Sequence, residues 1–396
     1  MRRGIRYLVA MWLGLGCLLG CAAPAEPTSA WAAPSAMPQP TLTPTPQPTA
    51  TALPTPTPTP TPQPTATPPP VRVARSYPFD GDQAVGENRP LVLAFDRPVE
   101  MALAEARLVI SPSVPGQISW PSPSRLVFVP DAPWAWQQWY DISLEPGPLA
   151  ADGGALAEGW RARFQRGGRG TPLPVLMYHH VKPLEVGATE GQLTWAVSPE
   201  ALAAQIAYLL AEGWQTISPG ELADYFEAGE PLPAKPLLIT FDDGYKEVYE
   251  RAYPLFAPTA LRPTLFIITQ DTERGYPAMM DWTQLQELVA AGFHIGSHSS
   301  DHADLRKKDA ATLTYQIGDS QALLEKRLGV RVDAFCYPYG SAAWEGAVLE
   351  MLRNYGYRTG YTLNPTYWQD PENPLQLGRL RVSFEMTVED LAALLP

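Results

Sequence analysis

The chain is 396 residues long, carries a formal net charge of −12, and contains 45 prolines. That length exceeds one ordinary domain, so two or more folded units are expected. The acidic balance, with no basic run after the first few residues, argues against a nucleic-acid partner and against a second electrostatic grip on anionic lipid, because both rely on clustered Lys and Arg.

At the N-terminus, Arg2, Arg3 and Arg6 precede an apolar stretch from Tyr7 to Leu19, too short to span as a stable helix, which runs into Leu18-Leu19-Gly20-Cys21. Residues 1–20 resemble a bacterial lipoprotein signal peptide. The resemblance implies cleavage before Cys21 and a diacylglyceryl group on its sulfur, so that a lipid anchor tethers the mature chain extracytoplasmically, at the cell membrane or envelope. Cys17, which also follows a glycine, is the alternative position. An uncleaved membrane anchor is the other reading, and it leaves the chain on the same side. Beyond these two only Cys336 remains, so no intramolecular disulfide can form despite an exported setting, and stability must come from apolar cores.

Residues 21–71 form a Pro/Thr-rich linker. Between Glu26 and Arg72 there is no Asp, Glu, Lys or Arg, and the repeating Pro-Thr pattern cannot build a core. With so many fixed φ angles the tract favours extended polyproline II, and Ser35 to Pro70 reaches roughly 110 Å at about 3.1 Å per residue. It reads as a disordered stalk with threonines available for O-glycosylation.

From residue 72 to 166 the pattern changes to short alternating segments: LVLAFD from Leu91, ARLVIS from Ala106, RLVFVP from Arg125, WYDISLEP from Trp139 and WRARF from Trp160. These predict an all-β sandwich. The stretch YPFDGDQAVGENRPLVLAFDRPVE, together with DGGALAEGWRARF, resembles the bacterial Ig-like domains. Trp120, Trp134, Trp136 and Trp139 either pack in this unit or stack on sugar rings, packing being the expected role.

Residues 171–396 alternate strand and helix. Ser198-Pro199 starts a helix with Leu202, Ile206, Leu209 and Leu210 on one face and Gly213 at its end. Asp281 caps another, with Gln284 three residues on and Gly292 after it. Asp309 opens a third, which ends near Gly329. Each is followed by a short apolar strand, WQTIS, FHIGS or VDAFCYPYG, and repeated β-α units predict a parallel sheet, open or closed into a barrel.

Unusual side chains gather at four strand ends: LMYHHV from Leu176, TFDDG from Thr240, IGSHSSDH from Ile295 and FCYPYG from Phe335. In a barrel, catalytic groups collect where strands give way to loops. Adjacent side chains on a regular strand point to opposite faces, so Asp242 and Asp243 can serve one site only if the chain bends, as Gly244 permits. His298 and His302 are four apart and share one face of a helical turn. A His-Glu-x-x-His motif is absent because Ser299 follows His298. With Asp243 the pair gives two imidazoles and a carboxylate, a three-ligand metal set that leaves a position for water. Asp242 is then the base that takes the proton of that water.

Thr240-Phe241-Asp242-Asp243-Gly244, His298 through Leu305 and Tyr337-Pro338-Tyr339-Gly340 resemble three motifs of the polysaccharide deacetylases, the NodB-homology group of carbohydrate esterase family 4. PVLMYHHV and SPEALAAQIAYLLAEGWQTIS are similar to the branch acting on N-acetylglucosamine polymers of the envelope. The resemblance implies a distorted (β/α) barrel that hydrolyses N-acetyl groups. Asp242 becomes the base, Asp243, His298 and His302 the metal ligands, and the backbone N–H of Tyr339 an oxyanion donor. Two departures stand out. Cys336 occupies the place where many members have an arginine that orients the base, and no histidine follows His302, so the family's late Leu-x-His, donor to the leaving amine, is missing. Leu377-Gly378-Arg379 stands in its place, and Arg379 steadies either the aspartate or the substrate because it stays protonated. The acid role moves to His179, whose other reading is a structural hydrogen bond beside the site. His180 is expected to point away, and His294 to be a packing residue. Tyr337, beside Pro338, with Trp282 and Trp368, is placed on the walls of a sugar groove or in the core, Tyr337 being the first choice for the groove. A nucleophilic Cys336 is disfavoured by its apolar strand.

The reading is therefore an α/β chain: a metal-dependent hydrolase of N-acetylated amino-sugar polymers on a distorted barrel, preceded by a small sandwich and a disordered linker. Zinc suits the donor set, as do cobalt, nickel and iron. Its rivals are a non-catalytic glycan-binding lipoprotein and a hydrolase of some other carbon–nitrogen amide bond.

Overall fold

The computed structural model describes residues 68–183 and 187–396. The signal-like segment, Cys21 and residues 21–67 of the Pro/Thr tract lie outside the described residues. Among the described residues no helix is long and apolar enough to cross a membrane.

The first part is a pair of antiparallel sheets. Its strands are β1 (Val73–Tyr77), β2 (Leu91–Phe95), β3 (Leu108–Ser111), β4 (Gly116–Ser122), β5 (Arg125–Pro130), β6 (Trp139–Leu144) and β7 (Trp160–Gln165). One sheet runs β1-β2-β5-β4 and the other β3-β6-β7. Period-two burial along β6 places Tyr140, Ile142 and Leu144 inward. Trp134 fills the centre, edge-on to Phe164 at 4.9 Å between ring centroids, with its indole N–H donated to the Arg89 carbonyl at 2.9 Å. Trp120 stacks on Phe95, and the Arg163 guanidinium covers Trp139. Trp136 alone of the four stands out into solvent, 64% exposed.

The second part is a curled sheet of eight parallel strands. These are β8 (Val175–Tyr178), β9 (Gln215–Thr216), β10 (Pro236–Phe241), β11 (Thr264–Ile267), β12 (His294–Ser297), β13 (Ala334–Cys336), β14 (Thr359–Tyr361) and β15 (Leu380–Arg381). They run β14-β13-β12-β11-β10-β8-β15, with β9 beside the start of β10. A bridge between Tyr361 and Leu377 draws the two edges together, giving a distorted (β/α) barrel. The caps read from the sequence hold. Ser198 accepts from Ala201 N–H at the head of α1 (Pro199–Ala211), and Asp281 and Gln284 form a reciprocal capping box on α2 (Trp282–Ala290). Asp309 caps a run that continues through a wider turn to Leu328 and stops at Gly329, whose φ of 68° only glycine adopts freely.

Alternation on β10 fixes the site. Leu237, Ile239 and Phe241 pack outward under the helices, whereas Leu238 belongs to the barrel interior, so Thr240 and Asp242 follow it up the inner face. That interior is continuous with the sandwich: Val175, Leu238, Phe266 and Tyr361 share one apolar cluster with Tyr77, Leu91 and Trp134. Ser76 and Leu232 exchange backbone hydrogen bonds of 2.9 and 3.0 Å across the junction. Beside them Asp82 is buried and accepts from Tyr225 Oη, from Thr171 Oγ1 at 3.1 Å and from Ala84 N–H at 2.9 Å.

Candidate active site

At the carboxyl ends of the barrel strands lies a cavity of about 380 Å³, whose walls include His179, Asp242, Asp243, His298, His302 and Tyr339. The first acid pair enters it through a sharp bend. Asp243 and Gly244 both take left-handed backbone, φ 72° and 88°, and Gly244 N–H closes on the Asp242 carbonyl at 3.0 Å. The turn is thus made by an aspartate as well as by the glycine, a strained conformation of the kind that gathers at functional sites.

The two histidines meet Asp243, but not through a helix. Residues 298–302 form a loop after β12 in which Ser299 and His302 have φ of 69° and 60°. Local polar bonds override the helical reading: His302 N–H donates to Ser299 Oγ at 3.0 Å, and Gln316 Oε1 accepts from Ser300 and Asp301 N–H at 3.2 and 3.3 Å. The loop turns both rings onto one oxygen. His298 Nε2 lies 3.4 Å and His302 Nε2 3.6 Å from Asp243 Oδ1, a buried atom that accepts no hydrogen bond. His298 Nδ1 is 2.8 Å from the Cys336 carbonyl, which can only accept, so Nδ1 carries a hydrogen and Nε2 is the nitrogen turned to Asp243. Against burial, Cys336 and Asp243 raise the His298 pKa well above the ordinary imidazole value, so a cation bound there would take the place of the Nε2 proton. Burial, helped by nearby His298, pushes the His302 pKa down to about 4, leaving a neutral imidazole. A buried carboxylate oxygen without a hydrogen-bond donor, with the Nε2 atoms of two imidazoles turned to it, fits a divalent cation. Asp242, His298 and Cys336 also cluster. Burial pushes the Cys336 thiol up, which keeps it protonated and disfavours it as a nucleophile.

Asp242 is engaged differently. Arg379, 0% exposed, reaches from the closing seam and donates from both terminal nitrogens to the two oxygens of Asp242, at 2.7 and 2.8 Å. Its remaining bonds go to Thr240 Oγ1 at 3.3 Å and, from Nε, to the Thr362 carbonyl at 3.0 Å. Burial alone would raise the Asp242 pKa, but Arg379, with His179 and His298, more than offsets this and holds the carboxyl well below the usual carboxylate range. Of the two partners expected for Arg379, the aspartate or the substrate, its terminal nitrogens meet the aspartate. The Cys336 thiol sits 3.5 Å from the same carboxylate.

His179 Nε2 is 3.6 Å from Asp242 Oδ2, and burial lowers its pKa against the pull of Asp242 and Asp243. Its ring meets Trp195 at 4.6 Å. His180 lines the cavity too, contrary to expectation, because Glu247 and Tyr245 hold its ring there. Tyr337 forms part of the wall, but its hydroxyl is donated to the Leu375 carbonyl at 2.8 Å, and Pro338 is buried behind it. Tyr339 has φ 59° and a ring 62% exposed, 4.5 Å from His302. Trp282 lies away from the cavity, its indole bonded to Glu273 and its ring under Arg327, and Trp368 lines a separate cavity at the foot of the barrel with Trp139 and Trp214. Trp195 and Tyr245 are wall residues that the motifs did not mark. The only sequence signal for Trp195 is its place at the end of a Thr189-capped turn.

This barrel, with a pair of aspartates and a histidine pair at its mouth, is a polysaccharide deacetylase domain of the NodB-like, carbohydrate esterase family 4 type, and the chain is a deacetylase enzyme by kinship. Residues 229–360 match the family described as polysaccharide deacetylase. Over 211 residues the chain is 28% identical to Bacillus subtilis YxkH, named for the same family, covering 53% of this chain and 71% of that one. It is 26% identical over 213 residues to the poly-beta-1,6-N-acetyl-D-glucosamine N-deacetylase of Escherichia coli K12, covering 42% of this chain but only 31% of that protein. Among solved structures, the Streptococcus pyogenes deacetylase PplD in complex with acetate superposes with a TM-score of 0.53 at 27% identity, covering 57% of this chain and 98% of that one. The polysaccharide deacetylase fold of Bacillus anthracis BA0330 matches 82% of this chain and 100% of its own, with a TM-score of 0.51 at 19% identity.

Proposed function

We propose that the chain is a metal-dependent N-deacetylase of N-acetylglucosamine-containing envelope or extracellular polysaccharide, lipid-anchored through Cys21 and held off the membrane by its Pro/Thr stalk and an Ig-like sandwich. The observation that carries the reading is Asp243 Oδ1, donorless between two imidazoles and one residue from the arginine-clamped Asp242. Asp243, His298 and His302 would hold the ion, zinc by preference, with cobalt, nickel or iron also suited to two imidazoles and a carboxylate. When bound, such an ion polarises the acetamide carbonyl and lowers the pKa of water at the site.

The chain's own residues do the rest. Asp242, kept ionised by Arg379, takes the proton of the attacking water. The Tyr339 N–H donates to the oxygen on which charge develops. His179, 3.6 Å from Asp242, returns a proton to the departing amine. Relatives named as poly-beta-1,6-N-acetyl-D-glucosamine N-deacetylases support the substrate class.

Acetate release from N-acetylglucosamine oligomers and from peptidoglycan by residues 68–396 with added zinc tests the reading, beside Asp242→Asn. Release that falls at least about a hundredfold in Asp242→Asn supports it. No release on any polymer while sugar and metal still bind favours the glycan-binding rival, and release only from small amides favours the other hydrolase.

A further inference from the structure

Next to the proposed proton donor stands a second imidazole with no role in the reaction as derived. His180 Nδ1 lies 2.6 Å from Glu247 Oε1. The same carboxylate oxygen accepts the Val181 N–H at 3.2 Å, and its partner oxygen faces Arg251 at 3.8 Å. Arg251 in turn donates to the Val181 carbonyl at 3.2 Å, closing a ring of contacts around the end of the first barrel strand. The His180 ring lies nearly parallel to Tyr245, 3.9 Å between centroids and 26° between planes, and both rings line the catalytic cavity.

Three constraints therefore fix one ring: a carboxylate on one nitrogen, an aromatic face against its plane, and a neighbouring backbone pinned by the same glutamate. An ionised carboxylate can only accept, so Nδ1 carries a hydrogen, and in the neutral ring Nε2 offers a lone pair. Nε2 has no hydrogen-bond partner among the described residues, and it belongs to a ring that forms the cavity wall. His180 is also more open than its neighbour, with 23% of its side chain exposed against 14% for His179, which puts it nearer the mouth. A histidine that merely packs would not need its tautomer set by a glutamate while its other nitrogen is left to the cavity.

We infer that His180 is a substrate-binding residue: its Nε2 accepts a hydrogen bond from a pyranose hydroxyl of the bound amino sugar, with Glu247 and Tyr245 as its positioning residues. This rests on the amino-sugar reading above. It assigns to the two adjacent histidines different work, His179 facing the reacting amide through Asp242 and His180 orienting the ring that carries it.

The probe is an N-acetylglucosamine pentamer, β-1,4- and β-1,6-linked forms in parallel. In steady-state acetate release, His180→Ala should raise KM about tenfold with kcat within about twofold, the pattern of an interaction made equally in ground and transition states. Glu247→Gln should raise KM less, and the double variant should be no worse than His180→Ala, since the glutamate acts through the histidine. His180→Gln, which keeps an acceptor, should recover part of the loss and serves if the alanine variant fails to fold. Zinc content and melting temperature should match the parent. Calorimetric binding of the same pentamers to Asp242→Asn protein, with and without His180→Ala, separates the two readings. Weaker binding in the double variant upholds this assignment even if the parent releases no acetate, an outcome that would instead overturn the deacetylase reading. Equal binding and an unchanged KM overturn the assignment, and so does a fall in kcat alone.

Discussion

Replacing Arg379 by methionine keeps an apolar stem in the barrel interior and removes the guanidinium bonded to Asp242. Both partners are buried, 0% and 2% exposed by side chain, and the two bonds are 2.7 and 2.8 Å, so solvent cannot take over the lost contacts. Breaking a buried pair from one side costs about 3–5 kcal/mol, because the carboxylate stays behind uncompensated. The sign with pH follows from Asp242. In the parent its pKa is depressed below the unfolded value, so its contribution to stability is present above that value and lost as pH falls. In Arg379→Met the burial is no longer opposed by the guanidinium and the pKa rises instead, so ionised Asp242 becomes a penalty at neutral pH that protonation relieves. The destabilisation, measured by urea unfolding of residues 68–396, should therefore be largest at pH 7 and shrink toward pH 4. The acid limb of kcat/KM should move upward, with activity below the new pKa falling about tenfold per pH unit. A pH-independent loss of stability with an unmoved acid limb would refute the reasoning, leaving Arg379 as packing alone.

Three further outcomes are expected. Chelation should abolish acetate release and zinc should restore it, while His302→Ala should weaken zinc binding by more than about tenfold with the fold intact, as read by metal content; full occupancy in that variant would remove His302 from the ligand set. Because burial lowers the His179 pKa, the protonated donor is depleted early, so the alkaline limb of kcat/KM should begin below the ordinary imidazole value of 6.5 and vanish in His179→Gln along with about a hundredfold of kcat. At the junction, burial raises Asp82 from 3.8 to about 6 despite the bonds from Tyr225, Ala84 and Thr171, so the folded chain holds this proton more tightly than the unfolded one. Stability should thus fall by about 2 kcal/mol between pH 4.5 and 7, and Asp82→Asn should lack that part of the decline; identical unfolding slopes with pH would count against it.

How much of this was legible in the chain varies with the range of the interaction. The buried run before Asp242, the Asp281-Gln284 cap and the stop at Gly329 are local, and the sequence carries them. The proposed ligand trio was readable as composition, two imidazoles and a carboxylate, but its geometry was not. A four-residue spacing suggests a helix, whereas Ser299 and His302 adopt left-handed backbone because of bonds to Ser299 Oγ and to Gln316, fourteen residues beyond His302. The partner of Asp242 was the least legible. Arg379 lies 137 positions away, and only the bridge that closes the barrel between Tyr361 and Leu377 brings it there. The inward set of His180 was hidden for the same reason, since it depends on Glu247, 67 positions on.

The sandwich then takes on a role that its sequence, read alone as a spacer, does not suggest. Asp242 sits two residues above Thr240 and four above Leu238 on the inner face of β10, and Leu238 belongs to the same apolar cluster as Tyr77, Leu91 and Trp134 of the sandwich. The floor beneath the Arg379–Asp242 pair is therefore packed from below by the other unit, with the Asp82–Tyr225 bond and the Ser76–Leu232 bridge holding the two together. Electrostatic coupling between a guanidinium and a carboxylate grows as water is excluded, and a wet floor would weaken the clamp on the base. By this argument the sandwich is more than a spacer: it supplies part of the dry interior on which the ionisation state of Asp242 depends.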